Sequence, residues 1–239
     1  MNTLVRVKKL YKLFHDGKIP KLAQHEVHPD LDLGSRENYL YFTLPPCINF
    51  QRHSPLMWKS ALQTWNDKKT RYLFFPEKVV CYSREKIQKD LVKYNLALQK
   101  NKHTDIWIAI SKTLNKSFKN DPRNLLATTN NDVVNILQFI QKDHKKDFTH
   151  LSGPKMTNYW LMILSQYTDI KLNNNHEISI IPDTHVIQCS LKLNVSNKKM
   201  NSVEVANAWK KLLQKSDITP VQMHPVLWNW SRNNFKPGV

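Results

Sequence analysis

Apolar residues along the chain recur mainly at intervals of three and four. Leu4–Phe14 is a short basic stretch of this kind, followed by a loop containing Pro and His. From Pro55 onward, Leu56, Trp58, Ala61, Leu62 and Trp65 have helical spacing. The pattern returns in Ile87–Leu98, Trp107–Leu114 and Val133–Lys142, the last with Asn130, Asn131 or Asp132 as N-cap. Met156, Tyr159, Trp160, Ile163 and Tyr167 mark another helix. Val186, Ile187, Ser190 and Leu191 mark one more, as do Val205, Trp209 and Leu212. Two short apolar runs around Pro76, Tyr72–Phe75 and Val79–Tyr82, leave strand and buried loop both open. Asn38–Phe50, aromatic and holding Pro45 and Pro46, reads as the entry to a new element. The pattern predicts a mostly α-helical chain with minor strand content at most.

Composition narrows the function. A length of 239 residues allows one large domain or two small ones, and 41% hydrophobic residues suffice to bury a core. Gly17, Gly34, Gly153 and Gly238 are the only glycines. They cannot build a G-x-G-x-x-G turn or a P-loop, which argues against dinucleotide and nucleoside-triphosphate folds. Thirty-six basic against 19 acidic residues leave a net charge of +17. That excess points to a polyanion, nucleic acid above all. Cys47, Cys81 and Cys189 lie far apart with no C-x-x-C, against a disulfide framework, a zinc ribbon and a four-Cys iron–sulfur cluster. No apolar run has membrane length, and Met1 to Leu13 lacks a secretory apolar stretch. The expectation is an intracellular protein (cytoplasm or nucleoid, or a nucleus) without a membrane partner.

The chemistry concentrates between Val133 and Leu193. Gly153 lies between two helical patterns, where a glycine supplies positive φ and lets backbone approach a ligand. A short turn of this type can aim amides and a helix N-terminus at a phosphate; an ordinary corner between two helices fits the same residues. Lys155 follows at the helix start, where the dipole and partial burial would favour its neutral, nucleophilic amine. Asp183 follows the apolar segment Ile178–Pro182 at the start of the next helix. It suits an N-cap and equally a carboxylate that stabilises a developing cation.

Together these residues resemble the helix-hairpin-helix DNA glycosylase superfamily. Its mark is a hairpin with a catalytic Lys in bifunctional members, then a helix, then a Val/Pro-Asp-x-His/Arg-Val turn with the catalytic Asp. The match is Leu151-Ser152-Gly153-Pro154-Lys155 and Pro182-Asp183-Thr184-His185-Val186. The hairpin departs from L-P-G-V-G-x-K in lacking the second Gly and in a shorter turn. Lys155 and Asp183 are 28 positions apart, with the insertion in the Asn-rich loop. These departures resemble the archaeal-type 8-oxoguanine (GO) glycosylase branch, as do Lys155-Met156 with Tyr159-Trp160 and the lead-in Ile180-Ile181-Pro182-Asp183. Asn49–Ser54, running into Trp58–Leu62, resembles the early helix junction where a Gln meets the damaged base. His224–Trp228 resembles a helix placing an aromatic at the pocket, although that branch carries an acidic residue where His224 stands.

The resemblance implies an all-α helix-hairpin-helix glycosylase fold with a DNA-binding cleft between two helical subdomains. One comprises residues 1–45 and 185–239, the other 46–184 with the hairpin at 148–156. It implies a bifunctional DNA glycosylase/AP lyase of base excision repair, removing an oxidised purine such as 8-oxoguanine through a Lys Schiff base and β-elimination. Lys155 and Asp183 would be catalytic; Gln51, Tyr159 and Trp228 would bind substrate; Ser152, Gly153 and Arg52 would bind DNA. The expected partner is double-stranded DNA containing a damaged base, bound by a monomer without metal or cofactor. The alternative is a non-catalytic helix-hairpin-helix nucleic-acid-binding protein. A third possibility is an enzyme on free or RNA nucleosides. The Lys155/Asp183 pair favours the first over the second, and the charge disfavours the third. His144 and His150 flank a basic turn without the spacing of a metal site.

Overall fold

The structure of the chain, a computed structural model, describes residues 2–22 and 26–239. The loop expected after the first helix therefore falls partly, at 23–25, outside the described residues. In chain order the helices are α1 (Thr3–His15), α2 (Arg36–Thr43), α3 (Ser54–Asn66), α4 (Pro76–Val79), α5 (Arg84–Val92) and α6 (Lys100–Phe118). They continue as α7 (Pro122–Thr128), α8 (Val133–Gln138), α9 (Pro154–Tyr167), α10 (Thr184–Lys192), α11 (Ser202–Leu213) and α12 (Pro220–Arg232). Among the described residues there is no strand, only an isolated parallel bridge between Asp132 and Asn173. The chain forms two compact units, residues 1–23 with 174–239 and residues 24–173.

These units differ from the partition expected at 45/46 and 184/185, for reasons that lie in packing. The Asn38–Phe50 segment is α2 followed by a tight 3₁₀ turn over Pro45–Ile48, and it belongs to the central unit. Tyr41 stacks on Phe74 (5.4 Å, 18°) and Phe42 on Tyr167 (4.9 Å, 12°). Burying such rings dominates core energetics, so α2 follows them. At the other boundary, buried Ile180 joins the core of the terminal unit with Val7, Leu10, Val186, Trp209 and Trp230.

Neither ambiguous run is a strand: the first is mostly a tight turn, and the second leaves a helix at Val79 into an exposed turn over 80–82. Tyr72–Phe75 is mostly a 3₁₀ turn over Arg71–Phe74, and Val79 closes α4, which Pro76 opens. Proline has its φ preset for a first helical position and lacks only an amide that would be unpaired there. Tyr72, Leu73 and Phe74 are buried in succession, which a tight turn inside the core permits without period-2 alternation. Ile87–Leu98 is helical only to Val92; Asn95, left-handed at φ 57°, turns the chain away.

In the central unit three fully buried indoles satisfy their N–H. Trp58 donates to Tyr159 Oη (2.9 Å), Trp107 to Leu73 O (2.8 Å) and Trp160 to Thr43 Oγ1 (3.1 Å). A buried donor left unpaired would cost about 1–3 kcal/mol, so these bonds fix which way α3, α6 and α9 face.

Candidate nucleic-acid interface and catalytic residues

The hairpin is built from α8, the connection at 139–153 and α9. Asp132 is the N-cap of α8, its Oδ1 accepting from the Asn135 amide (3.1 Å). The helical run then widens to a π-turn over Phe139–Asp143, with the His144 amide reaching Phe139 O (2.8 Å). Buried Phe148 and Leu151 hold the turn from beneath. Thr157 Oγ1 donates to Leu151 O (2.6 Å) and Gly153 O (3.2 Å), tying the turn to α9.

Gly153 does not have the expected positive φ. It is the N-cap of α9 in extended conformation (φ −67°, ψ 139°), and the left-handed residue is His150 (φ 64°). A Cβ built on Gly153 would meet only His150 O, at an ordinary 3.5 Å. What Gly153 provides is an end of α9 that no cap side chain covers. The first-turn amides of Lys155 and Met156 have no intrahelical partner, so they are left to an external acceptor. The Ser152 and Gly153 amides, by contrast, already donate to Phe148 O (2.8 Å) and His150 O (3.3 Å), and the Ser152 side chain is buried. Lys155 is exposed, without the partial burial expected of it, and forms no ion pair among the described residues.

The loop at 49–53 leans on the same turn. Phe50 stacks on His150, ring centroids 4.4 Å apart and 6° from parallel. Gln51 is exposed at a left-handed φ of 50°, its Oε1 accepting from Gln99 Nε2 (2.9 Å). Arg52 turns inward: Nη1 donates to Leu96 O (2.6 Å) and Nη2 to Asn95 O (3.1 Å). Burial pushes its guanidinium pKa down to about 10. Its donor fork is taken up by carbonyls of its own chain, so Arg52 acts here as a loop clamp. Tyr159 is buried, its hydroxyl taking the Trp58 N–H and sharing a hydrogen bond with Ser54 Oγ (3.1 Å). Burial raises that phenol well above its ordinary range.

In the terminal unit, Asp183 is the N-cap of α10, its Oδ1 accepting from the Val186 amide (2.8 Å). It is half-buried, behind buried Ile178, Ile180 and Ile181. Two residues on, His185 Nδ1 lies 3.0 Å from Ser231 Oγ, and its ring meets half-buried Trp228 edge-on at 5.3 Å. Arg232 lies 5.3 Å from the centroid of Trp228. His185 and Trp228 thus meet across the α10–α12 pair, and Asp183 starts α10. Lys155, Gln51, Ser152, Gly153, Arg52 and Tyr159 belong to the central unit.

His144 and His150 do not converge. His144 pairs with Asp147 (3.1 Å) and stacks on Phe139 (4.1 Å), whereas His150 faces Phe50. Lys102 and His103 carried no sequence signal, and Phe50 only its place in the segment Asn49–Ser54, because their meeting with His150 depends on contacts across the chain. A cleft of about 390 Å³ in the central unit, lined by Gly34, Tyr39, Arg123, Asp169 and Lys171 among others, contains none of the residues assigned from sequence.

No family model matches the chain, and no curated protein matches it. Among solved structures it is similar to a trapped endonuclease III–DNA covalent intermediate in an estranged-adenine complex. The match has a TM-score of 0.59 at 15% identity and covers 100% of this chain and 90% of the other. The likeness is one of fold: the chain has the all-helical architecture of endonuclease III.

Proposed function

We propose that this chain is a DNA glycosylase of base excision repair with lyase activity, and that Lys155 is its nucleophile. The observation that carries the proposal is the start of α9. An exposed, unpaired amine sits one residue inside a helix whose amides no side chain caps, on a fold shared with a protein trapped covalently on DNA. Uncapped amides favour an anionic phosphate. A DNA strand gripped there brings its sugar to the lysine.

In the proposed reaction the Lys155 amine, once deprotonated, attacks C1′ of an extruded nucleotide. The new C–N bond replaces the N-glycosidic bond, and the base leaves with the electron pair and takes up a proton. A proton then passes from nitrogen to the ring oxygen as the C1′–O4′ bond opens, giving the protonated Schiff base. Removal of a C2′ proton then expels the 3′ phosphate by β-elimination. Asp183 stabilises the cationic character at C1′ in this scheme, as carboxylates do in glycoside cleavage. Its Oδ1 is committed to Val186; Oδ2 has no hydrogen bond among the described residues.

The lesion we propose is an oxidised purine, 8-oxoguanine, supported by the resemblance of the segments at Lys155–Trp160 and Ile180–Asp183. A monomer acting inside the cell on damaged duplex DNA completes the assignment. The capping bond of Asp183 favours one competing assignment, a non-catalytic binding protein in which Asp183 only starts a helix. Borohydride trapping across duplexes carrying different damaged bases decides between them. A reducible adduct on any lesion supports the enzyme, and its preference among lesions names the substrate. No adduct on any duplex that the protein binds supports the binding protein.

A further inference from the structure

We propose that Lys102 and His150, gathered on the Phe50 ring, form a binding site for one nucleic-acid phosphate, separate from the hairpin amides. The site deepens the DNA-binding assignment and rests on it. Three segments of the central unit meet here: the loop at 49–53, the start of α6 and the hairpin turn. His150 stacks on Phe50, Lys102 Nζ lies 4.8 Å from the Phe50 centroid, and His103 meets the ring edge-on at 4.9 Å.

The charges acting on His103 are those of Arg52, His150 and Lys102, and the charge acting on His150 is that of Lys102. All are basic. α6 compounds the imbalance: its first turn has no acidic residue and no side-chain cap, yet carries Lys100 and Lys102. Cations at a helix N-terminus oppose its dipole, whereas an anion there is stabilised. Beneath them His103 is fully buried. Its Nδ1 accepts from the Leu98 amide (3.2 Å), which leaves the hydrogen on Nε2, and Nε2 has no partner. Arg52 adds a further positive charge, its Nη groups donating only to neutral carbonyls. Lys102 is exposed and His150 half-exposed, and neither side chain makes a hydrogen bond or ion pair among the described residues. A phosphodiester is the counter-charge that this cluster lacks.

The site has a pH signature. Burial and Lys102 hold the free His150 ring below its ordinary pKa; a bound phosphate would raise it again. Binding therefore takes up a proton, and affinity rises as pH falls.

The test uses the full chain and fluorescence anisotropy on an undamaged duplex at fixed ionic strength, from about pH 5.5 to 8, a range that brackets an ordinary His. His150→Gln should flatten the pH dependence relative to the unaltered protein. Lys102→Gln should reduce the slope of log affinity against log salt by about 0.9, one phosphate contact. Lys89→Gln, on the exposed side of α5, should leave both unchanged, and the melting temperatures of all three variants should match the parent. A Lys102→Gln slope equal to the parent's, or to that of Lys89→Gln, overturns the site; so does His150→Gln with the pH dependence intact. If the unaltered protein binds no duplex, the DNA-binding assignment itself fails. Inorganic phosphate tests the other source of the same chemistry. It should shift the His150 ring resonances only far above the duplex concentrations used; tight saturation would reassign the site to a free phosphate and overturn the strand contact.

Discussion

Lys155 and Asp183 differ in what holds them. Lys155 has no structural partner, so Lys155→Ala should keep the melting temperature and duplex binding while abolishing the borohydride-trapped adduct. An adduct that survives the substitution would move the nucleophile to another amine. Asp183 has a structural partner in the Val186 amide, and Asn caps about as well as Asp. Asp183→Asn should therefore leave stability nearly unchanged and slow base release by at least ~10²-fold, the lower range for a positioned acid–base group. A lowered melting temperature with unchanged single-turnover kinetics would leave it a cap and nothing more. His103 yields a prediction about stability. Burial pushes its pKa down to about 4, so between about 6.5 and 4 the unfolded chain binds a proton that the folded chain refuses. Stability contributed by neutral His103 is complete above that range and is lost as pH falls through it, by on the order of 2 kcal/mol. His103→Asn, which keeps an acceptor for the Leu98 amide, should show a shallower fall in denaturant midpoint over this interval. An identical pH profile would mean that His103 is not buried in solution.

Several helices that bury one apolar face were legible in the residue pattern, because spacing of three and four is the direct image of that face; α7 and α12 were not read from spacing. Val7, Leu10 and Phe14 on α1, and Trp58, Ala61 and Trp65 on α3, are buried where the pattern puts them. Where helices stop was less legible. Asn95, Asn120, Asn130, Asn131, Asn174, Asn194 and Asn234 all adopt positive φ. A chain with four glycines uses Asn, whose short side chain tolerates the left-handed region, yet Asn-rich stretches look merely polar. The same substitution of roles misled the sequence reading of the hairpin, where His150 rather than Gly153 is left-handed. The clamp by Arg52 and the stack of Phe50 on His150 join residues many positions apart, so no local pattern announces them. Gly153→Ala separates fold from binding at this turn. The backbone is already extended and the added Cβ has room, so the cost should be about 1 kcal/mol or less, that of an Ala at an N-cap. If a phosphate approaches the open end of α9, duplex affinity should fall severalfold while the melting curve barely moves. Unchanged affinity would place the DNA contact away from α9.

The charge of the molecule bears on DNA binding through both units. The terminal unit holds fourteen basic against five acidic residues, the larger central unit twenty-two against fourteen. Within the terminal unit Lys8 pairs with Asp217 and Lys210 with Glu177, which leaves most of its lysines without a counter-charge. Such a field destabilises the compact chain by self-repulsion and concentrates polyanions around it. A duplex bound by this field should show affinity that depends weakly on sequence and steeply on salt. If about five phosphates are contacted, log affinity should fall with log salt at a slope near −4.5. The measurement is anisotropy on two unrelated duplexes across a salt series at one pH. Parallel lines of that steepness support a backbone-gripping surface shared by the enzyme and the simple binding protein. A slope near −1 would restrict contact to a single phosphate, and the excess charge would then lie on surfaces that never meet DNA. Added salt separates the two cases without DNA as well. Screening should raise the melting temperature of the free protein in either, but only in the first should a duplex at low salt raise it further, by stabilising the folded state in proportion to its binding.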